Sequence, residues 1–302
     1  MRVHEYGDSS VIRDDDIPCP VPGPGEVLVE VAATSFNPSE VGLRRGLLRA
    51  FFPLELPYTL GSDLAGTVVE TGDGVTAFAP GDRVLGRVDG GGAAEYAVAA
   101  AETLVLAPRS VPLEHAAAIP VAGVTAWQAV FEHARLVPGQ RVLINGAGGG
   151  IGGFAVQLAK HAGAHVIATA APRSTDVVRR QGADQVIDYT AAPIAEALDE
   201  PLDAILNLVV LDQREGADLA SLLRPGGVLV SATVVIALPA DSPVTATHFV
   251  VRDDTDDLRA LVELVDAATV TLDIATRPLT DMAATHQDAE SGRTRGKIVL
   301  TP

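Results

Sequence analysis

The chain has 302 residues, of which 39 are acidic and 22 are basic, so its formal net charge is −17. A single cysteine excludes a disulfide scaffold and every metal site built from several cysteines. Only two lysines are present, and the acidic balance argues against a nucleic-acid partner, which would require clustered Lys and Arg.

Residues 1 to about 115 are predicted to form a β-rich domain. Glu26–Val31 has the alternating character of a half-buried strand, and Leu64–Glu70 and Asp82–Val88 are similar short segments. Turns rich in Gly and Pro separate these segments, for example Pro22–Gly25 and Pro80–Asp82. Many short strands with such turns between them predict a barrel or a sandwich.

From about residue 116 onward, strand and helix patterns alternate, which predicts a parallel, doubly wound sheet. The alternating segments are helix Glu114–His133, strand Arg141–Asn145, helix Phe154–His161, strand His165–Thr169, helix Asp176–Gln181, and strands Gln185–Asp188, Ala204–Leu208 and Gly227–Ala232. After about residue 248 the pattern changes again, to helix Thr255–Ala267, a short strand, helix Asp281–Ser291 and strand Lys297–Leu300.

No targeting or membrane segment is expected. The N-terminal residues Met1–Tyr6 do not resemble a signal peptide. The most apolar stretch, Val228–Ala240, is too short to cross a bilayer and is interrupted by Ser231 and Thr233. These patterns predict a cytoplasmic protein that binds neither a membrane nor a nucleic acid.

A glycine-rich segment between a predicted strand and a predicted helix is the strongest local signal. Its glycines satisfy the G-x-G-x-x-G spacing of a dinucleotide-binding turn, and the strand before and the helix after provide the context that this motif requires. Glycines permit the tight turn and let a pyrophosphate approach the backbone, and the helix would direct free N–H groups at the phosphates. A flexible glycine loop without a ligand is the alternative. The residues expected to hold the pyrophosphate are Gly146, Gly149, Gly150, Ile151 and Gly152.

The end of the second strand of this domain indicates the type of nucleotide. NAD-selective folds usually place Asp or Glu about 20 residues beyond the glycines, where the carboxylate binds the ribose 2′-hydroxyl. The sequence there, Ala168–Ser174, contains no carboxylate. Arg173 and Ser174 could instead bind a 2′-phosphate, which favours NADPH, unless Arg173 is only a solvated surface residue.

The glycine segment followed by Ala155–Lys160 resembles the quinone oxidoreductase (zeta-crystallin-like) family of the medium-chain dehydrogenase/reductase superfamily. The resemblance implies an α/β fold with a GroES-like β-barrel catalytic domain, residues 1–116 and 249–302, and a Rossmann doubly wound parallel sheet that binds NADP, residues 117–248. It also implies an active site in the cleft between these domains and a homodimer. Further segments that resemble the family, in the same order, are Pro24–Val29, Ser35–Glu40, Leu60–Gly66, Ala122–Trp127, Gly182–Tyr189 and Gly292–Leu300.

The residue types argue against a zinc site. Zinc alcohol dehydrogenases of the same superfamily bind catalytic zinc through Cys, His and a second Cys or Asp. By resemblance, the corresponding positions here are Asn37, Ser62 and the neighbourhood of Pro120 and Val121, none of which is a plausible zinc ligand. Without a Lewis acid, a quinone or another α,β-unsaturated carbonyl is the expected substrate, because its conjugated system accepts hydride and hydrogen-bond donors can stabilise the oxygen.

Further site residues follow from the resemblance and from the strand ends. Asn37 and Glu40 are candidates for orienting the substrate carbonyl and relaying a proton, and Ser62 completes the predicted catalytic set; the family often has Asp where Glu40 stands. Alternatively, Asn37 only shapes a turn, and Ser62 with Asp63 only organises the strand backbone. The predicted cofactor contacts beyond the glycine segment are Thr125 at the nicotinamide end, Thr169, Arg173, Ser174 and Tyr189 around the adenosine ribose, and Asn207, Val209, Ala232 and Thr233 at strand ends.

Three functions are compatible with the sequence. The first is an NADPH-dependent reductase of quinones or enones, and the second is a biosynthetic, polyketide-type enoyl reductase that would differ only at the mouth of the cleft. Leu43–Phe52 is expected to line that mouth, where Arg44, Arg45 and Arg49 could attract an anionic substrate. The third is an NADPH-binding protein with a structural or regulatory role and little turnover.

Overall fold

The computed structural model describes all 302 residues, and they divide into two compact units. The first unit comprises Met1–Val121, Asp253–Ala268 and Ile274–Pro302, so both ends of the chain contribute to it. The second unit comprises Ala122–Arg252 and Thr269–Asp273. The second unit therefore begins at Ala122, a few residues after the predicted start at residue 117. A short segment, Thr269–Asp273, also belongs to it.

Short strands dominate the first unit, and strands alternate with helices in the second. In chain order the strands are β1 (Arg2–Val3), β2 (Ile12–Arg13), β3 (Glu26–Ser35), β4 (Tyr58–Thr59), β5 (Asp63–Thr71), β6 (Arg83–Arg87), β7 (Tyr96–Ala100), β8 (Leu104–Leu106), β9 (Arg141–Asn145), β10 (His165–Thr169), β11 (Gln185–Ile187), β12 (Leu202–Asn207), β13 (Leu223–Ser231), β14 (Thr245–His248), β15 (Ile274–Pro278) and β16 (Lys297–Thr301). The α-helices are α1 (Pro38–Arg44), α2 (Leu113–Ala116), α3 (Pro120–Trp127), α4 (Gly150–His161), α5 (Pro172–Arg180), α6 (Gln213–Ala220), α7 (Thr255–Asp266) and α8 (Met282–Glu290).

The first unit is built on a seven-stranded sheet in the order β15-β16-β3-β5-β6-β8, with β7 also paired to β3. All of these pairs are antiparallel except β15 with β16. Val27, Val29 and Val31 of β3 are at most 6% exposed, and Leu28 is also buried, at 7%, so this strand is more deeply buried than the expected half-buried strand. A small sheet, β2-β1-β4, adds the N-terminal residues to this unit.

The second unit contains a six-stranded sheet in the order β11-β10-β9-β12-β13-β14, and every neighbouring pair is parallel. Counted within the unit, this order is 3-2-1-4-5-6, which is the order of the Rossmann fold. Val142, Leu143 and Ile144 of the central strand β9 are 0% exposed, as expected for a parallel strand that is covered on both faces. The predicted doubly wound sheet is therefore confirmed.

The predicted long helix at residues 114–133 is wrong as one element. The chain forms the short helix α2, then α3 from Pro120 onward, and then a π-helical turn, Gln128–His133. Proline lacks the N–H that a continuous helix needs and disfavours the helical conformation at the preceding Ile119. At the first position of a helix, no intrahelical hydrogen bond requires the backbone N–H that proline lacks. Pro120 therefore begins α3 instead of extending the helix before it.

Several other elements also differ from the sequence prediction, and three of them have a clear physical reason. The helix expected from Asp176 begins at Pro172, which occupies the position that proline favours. Helix α6 was not predicted, although its capping box is visible in the sequence: Asp212 accepts from the Glu215 N–H and Glu215 accepts from the Asp212 N–H, each at 2.8 Å. Strand β14 was also missed, because its largely exposed residues show no apolar alternation.

Candidate functional site

In the second unit, the glycine segment forms a tight turn from the end of β9 into the N-terminus of α4. Gly146 has a φ of +96°, a left-handed conformation that residues with a side chain rarely adopt. Gly149 is the N-cap of α4, and no side chain caps the helix there. The first N–H groups, at Gly150, Ile151 and Gly152, consequently have no intrahelical partner. Such groups at a helix N-terminus bind phosphate well.

Close packing around this turn excludes side chains at two of its glycines. A Cβ atom on Gly152 would overlap the carbonyl oxygen of Gly146 and lie 2.6 Å from the Cα of Ala147. A Cβ atom on Gly148 would lie 2.7 Å from the Cβ and Oγ of Ser174. The absence of a side chain at Gly152 lets α4 approach the turn, and its absence at Gly148 lets Ser174 of α5 approach it. The arrangement fits the pyrophosphate of a dinucleotide.

Buried polar side chains connect the carboxyl ends of neighbouring strands in this unit. Thr169, at the end of β10, accepts a hydrogen bond from the Gly146 N–H at 2.9 Å and donates one to Asn145 Oδ1 at 2.9 Å. Asn145, at the end of β9, donates to Asn207 Oδ1, at the end of β12, at 3.0 Å. Thr169 is only 1% exposed. Thr169 therefore lies beneath the glycine turn as a support, and its predicted contact with the ribose stays a prediction.

The same network continues to the end of β13. Asn207 Nδ2 lies 2.9 Å from the carbonyl oxygen of Val209 and 3.3 Å from the hydroxyls of Ser231 and Thr233. Thr233 also donates to the Val209 carbonyl at 2.7 Å, and the Ala232 N–H donates to the Asn207 carbonyl at 3.1 Å. These residues thus lie together at the carboxyl edge of the sheet, where open α/β sheets bind ligands.

The residues predicted to bind a 2′-phosphate lie at the start of α5, directly after β10. Arg173 is exposed and Ser174 is 5% exposed, and both belong to the first turn of this helix. The helix N-terminus and the guanidinium favour an anion at the same place. Tyr189, which is 52% exposed, lies just beyond β11. Thr125 is buried in the part of α3 that belongs to the second unit.

In the first unit, the buried carboxylate of Asp63 is the centre of a polar cluster. Asp63 Oδ2 accepts hydrogen bonds from the Ser35 hydroxyl, from Asn37 Nδ2 at 2.8 Å and from Lys297 Nζ at 3.2 Å. Its Oδ1 accepts from the Val121 N–H at 2.7 Å. Asp63 is 0% exposed and Lys297 is 4% exposed, so this ion pair is shielded from water.

The side chain of Asn37 is committed to this cluster. Its Nδ2 donates to Asp63 Oδ2 and also faces the carbonyl oxygen of Ser35 at 3.4 Å. Its Oδ1 accepts from Lys297 Nζ at 2.8 Å. Both polar atoms of the Asn37 amide thus have partners within the protein, and its role in orienting a substrate carbonyl stays a prediction. The alternative, that Asn37 shapes the local backbone, agrees with these contacts.

Glu40 is a buried carboxyl group that accepts hydrogen bonds from the backbone. Its Oε1 accepts from the N–H groups of Gly61 at 3.1 Å and Ser62 at 3.2 Å, and its Oε2 accepts from the Asn37 N–H at 3.3 Å. Burial raises the pKa of Glu40 from 4.5 to about 7, and the neighbouring Asp63 also raises it. Glu40 therefore holds the turn at residues 61–62 and carries a proton on part of the molecules near neutral pH.

Ser62 is the one predicted catalytic residue whose side chain is not engaged in the protein. Its backbone is held on both sides, since its N–H donates to Glu40 Oε1 and its carbonyl accepts from the Val88 N–H at 2.9 Å. The residue is partly exposed, and no hydrogen bond within the chain occupies its hydroxyl. Ser62 thus offers a positioned donor to a ligand of the first unit.

Of the three arginines expected to line the mouth of the cleft, one is buried instead. Arg44 is 0% exposed and its Nη2 lies 2.8 Å from Glu290 Oε1, so it packs inside the first unit and cannot line a cleft mouth. Arg45 lies 3.4 Å from the same oxygen and is about half exposed, and Arg49 is exposed. The reason for the miss is that the apolar stem of a long cationic side chain can be buried when a carboxylate meets its head group.

In the first unit, the oxygen at the position of the first zinc ligand is already engaged. The position that resembles the first zinc ligand is Asn37, and its amide oxygen already accepts from the Lys297 ammonium. A cation at that oxygen would face the positive charge of the ammonium. Nowhere in the chain do three His, Cys, Asp or Glu side chains come together in a way that could hold a metal ion.

Two known protein families match the chain. The family described as alcohol dehydrogenase GroES-like domain matches residues 23–109, and the family described as zinc-binding dehydrogenase matches residues 181–300. A chloroplastic quinone oxidoreductase of Triphysaria versicolor is 40% identical over 213 residues, which cover 67% of this chain and 64% of that protein. This chain therefore spans less than two thirds of the length of that relative.

A second relative decides the family. The quinone oxidoreductase of Mus musculus is 34% identical over 240 residues, which cover 76% of this chain and 72% of the mouse protein. This chain belongs to the quinone oxidoreductase family. It is thereby a member of the medium-chain dehydrogenase/reductase superfamily, as the resemblance implied.

The structure of this quinone oxidoreductase family member agrees with that of a solved relative. The structure of Escherichia coli quinone oxidoreductase complexed with NADPH matches it with a TM-score of 0.90 and 25% identity, covering 100% of this chain and 99% of that chain. The expected combination of a GroES-like domain with a Rossmann sheet is thereby confirmed. None of the helices is long and apolar enough to cross a membrane.

Sequence reasoning missed three residues that organise the site. Asp63 was considered only as a backbone organiser, and Lys297 and Asn145 were not proposed at all. Lys297 is one of only two lysines in the chain and precedes an apolar strand, which is the available signal for an unusual environment. Asn145 ends a strand that is otherwise wholly apolar after its first residue, and a polar residue at that carboxyl end is a candidate for the ligand edge.

Proposed function

We propose that this quinone oxidoreductase family member binds NADPH and reduces a quinone or another α,β-unsaturated carbonyl without zinc. The observation that carries the proposal is the carboxyl edge of the parallel sheet. There the uncapped N-terminus of α4 and the exposed Arg173 beside Ser174 favour phosphate groups, and no carboxylate ends β10. The Escherichia coli relative in complex with NADPH supports the same cofactor.

Each part of the edge has a proposed role toward the dinucleotide. The backbone N–H groups of Gly150, Ile151 and Gly152 bind the pyrophosphate. The guanidinium of Arg173 and the hydroxyl of Ser174 bind the 2′-phosphate, which is the group that distinguishes NADPH from NADH. Gly146 and Gly149 form the turn, and Thr125, Tyr189, Asn207, Val209, Ala232 and Thr233 complete the predicted cofactor contacts. When bound, the nicotinamide supplies the hydride, and the protein supplies position and electrostatics.

In the first unit, we assign the hydrogen-bond donor to Ser62. Reduction of a conjugated carbonyl places negative charge on its oxygen, and a positioned hydroxyl stabilises that charge. Glu40 acts through Ser62 by holding its N–H. Asn37 acts further away, by holding Asp63. Of the three predicted catalytic residues, Ser62 therefore keeps a direct role and the other two position it.

The absence of zinc from the reaction is part of the proposal and follows from the available donors. An amide oxygen that accepts from an ammonium and a serine hydroxyl are poor substitutes for Cys and His ligands. Adding EDTA should therefore leave the turnover unchanged. A loss of activity that added Zn²⁺ restores would contradict the metal-free mechanism.

The test is a spectrophotometric assay at 340 nm. Purified protein is mixed with NADPH or NADH and with 1,4-benzoquinone, a larger ortho-quinone or a simple enone. We expect turnover with NADPH and much less with NADH. Clear NADPH binding without turnover of any of these substrates would contradict the quinone or enone reductase. It would favour a polyketide-type enoyl reductase or an NADPH-binding protein with little turnover.

Two further expectations concern the whole protein. A homodimer and a cytoplasmic location are both predicted from the sequence and the resemblance. Light scattering of the purified protein tests the first, and a monomer would contradict it. Fractionation of the source cells tests the second, and recovery of the protein in an organelle, for example a chloroplast as the name of the Triphysaria versicolor relative indicates for that protein, would contradict it.

A further inference from the structure

Lys297 is a buried ammonium whose hydrogen-bonding capacity is fully used. It begins β16, near the end of the chain, and is 4% exposed. Its Nζ lies 2.8 Å from Asn37 Oδ1, 3.1 Å from the Phe36 carbonyl oxygen and 3.2 Å from Asp63 Oδ2. An ammonium has three hydrogens, and each has an acceptor here.

Asp63 connects this lysine to the rest of the first unit. Its carboxylate receives donors from four residues in three separate parts of the chain: Ser35, Asn37, Val121 and Lys297. The backbone around it is held as well, since the Asp63 carbonyl accepts from the Thr34 hydroxyl at 2.7 Å. One carboxylate therefore joins the end of β3, the start of β5, the first turn of α3 and β16.

Fold stability alone is a poor explanation for this cluster. A buried ion pair contributes little net stability compared with well-packed apolar side chains of similar volume, because both charges lose their hydration. The cluster does define positions accurately, because each charged hydrogen bond is directional. The residue next to Asp63 is Ser62, whose hydroxyl is not engaged in the chain.

We propose that Asp63 and Lys297 are positioning residues for the reduction. Their ion pair fixes the turn that presents the Ser62 hydroxyl to the oxygen of the substrate carbonyl. Neither residue touches the substrate, and neither transfers a proton to it. This inference rests on the proposed function, because it assigns the ion pair a role in placing the donor of that reaction.

The decisive experiment is a double-mutant cycle between Ser62 and the ion pair. The variants are Ser62→Ala, the neutral pair Asp63→Asn/Lys297→Met, and the combination of all three. Neutralising both residues together avoids an uncompensated buried charge. Since removing one oxyanion donor costs about 100-fold or more in kcat, we expect such a loss for Ser62→Ala and a loss of similar order for the neutral pair. The KM for NADPH should stay within about twofold, because the cofactor contacts are intact.

The combined variant separates positioning from a general structural role. If the pair acts by placing Ser62, the triple variant should be hardly slower than Ser62→Ala alone. Losses that multiply would overturn the proposal, as would an unchanged kcat in the neutral pair. If the neutral pair does not fold, Ser35→Ala removes a single donor to Asp63 and should lower kcat about tenfold, as expected for one hydrogen bond to a charged group. An unchanged kcat in Ser35→Ala would then overturn the proposal.

The other lysine provides a matched control. Lys160 also pairs with an aspartate, since its Nζ lies 2.8 Å from Asp184 Oδ2, but both side chains are about one third exposed. Lys160→Met therefore removes a lysine–aspartate pair at the surface of the second unit. It should leave kcat and both KM values unchanged, because an exposed pair contributes little and Ser62 lies in the other unit.

Amide hydrogen exchange distinguishes failure of this inference from failure of the proposed function. If the wild-type protein reduces none of the carbonyl compounds, the proposed reaction is wrong, whatever the variants do. Exchange at the Gly61 and Ser62 amides still tests whether the pair holds the turn. Faster exchange in the neutral pair than in the wild type supports that role. Unchanged exchange overturns it, whether or not the enzyme is active.

Discussion

Replacement of Glu40 by Gln should change the stability of the protein in a way that reverses between acidic and neutral pH. In the folded chain the carboxyl group is buried and accepts three backbone N–H groups. Burial raises its pKa from 4.5 to about 7, so the folded state binds this proton more tightly than the unfolded state does. The free energy of unfolding contributed by Glu40 therefore falls as the pH rises from 4.5 to 7.

The magnitude follows from the pKa difference and from one hydrogen bond. At about 1.4 kcal/mol for each pKa unit, a rise of the Glu40 pKa from 4.5 to about 7 corresponds to about 3 kcal/mol. Gln has no ionisable group, so Glu40→Gln removes this dependence. Its oxygen can still accept from Gly61 and Ser62, whereas its NH₂ group would face the Asn37 N–H, and that lost hydrogen bond costs about 1 kcal/mol. The variant should thus be about 1 kcal/mol less stable than the wild type at pH 4.5 and about 2 kcal/mol more stable at pH 8.

Urea unfolding followed by far-ultraviolet circular dichroism measures this difference. Wild type and Glu40→Gln are compared at pH 4.5, 6, 7 and 8, so that all other titrating groups are shared and cancel. Glu196→Gln, at an exposed position, is the control for exchanging a carboxylate for an amide. Equal stability differences at pH 4.5 and pH 8 would refute the conclusion that burial raises the pKa of Glu40.

Three further predictions concern the cofactor edge and a buried histidine. Arg173→Ala should weaken NADPH binding about 10- to 100-fold more than NADH binding, because it removes a charge-assisted hydrogen bond to the 2′-phosphate. Arg180→Ala, at the other end of the helix, is the control and should leave the binding of both nucleotides unchanged. Equal losses of NADPH and NADH binding in fluorescence titrations of Arg173→Ala would contradict the assignment. Gly152→Ala should lower the free energy of unfolding by about 1–3 kcal/mol, because the new Cβ would overlap the Gly146 carbonyl oxygen. The same variant should weaken the binding of NADPH and of NADH to the same extent. Fluorescence titrations that show wild-type affinity for both nucleotides would contradict this prediction. Burial, together with the nearby Arg44, lowers the pKa of His286 to about 3, so the free energy of unfolding should fall as the pH drops below 6.5. His286→Met should lose less stability than the wild type between pH 7 and pH 4, as measured by urea unfolding. An equal loss in the variant and the wild type would contradict the lowered pKa.

The strands and the glycine turn could be predicted because their signals are local. The apolar segments at residues 141–145 and 165–169 became β9 and β10 without a change of limits. The glycine spacing predicted a turn and a helix N-terminus, and Gly146 indeed adopts a left-handed φ. The single helix predicted over residues 114–133 was wrong because Pro120 interrupts it, although that proline is visible in the sequence.

The candidate site was predicted less well where side chains had to be placed relative to distant residues. The resemblance indicated Asn37 and Glu40, but it did not show that their polar atoms are used inside the protein. Thr169 was expected at the ribose because it ends β10, yet its hydroxyl turns under the glycine segment. Arg44 was grouped with two exposed arginines on the basis of proximity in sequence, whereas its carboxylate partner comes from α8.

By itself, the sequence determined the succession of strands and helices, the dinucleotide turn and the family resemblance. These features depend on periodicity and on backbone geometry within a few residues, which the order of amino acids expresses directly. Only the tertiary structure decided which polar side chains remain available to a ligand. Lys297 reaches Asp63 across 234 positions of the chain. A hydrogen bond of that kind exists only after separate strands have packed, so no local pattern could distinguish the engaged Asn37 from the available Ser62.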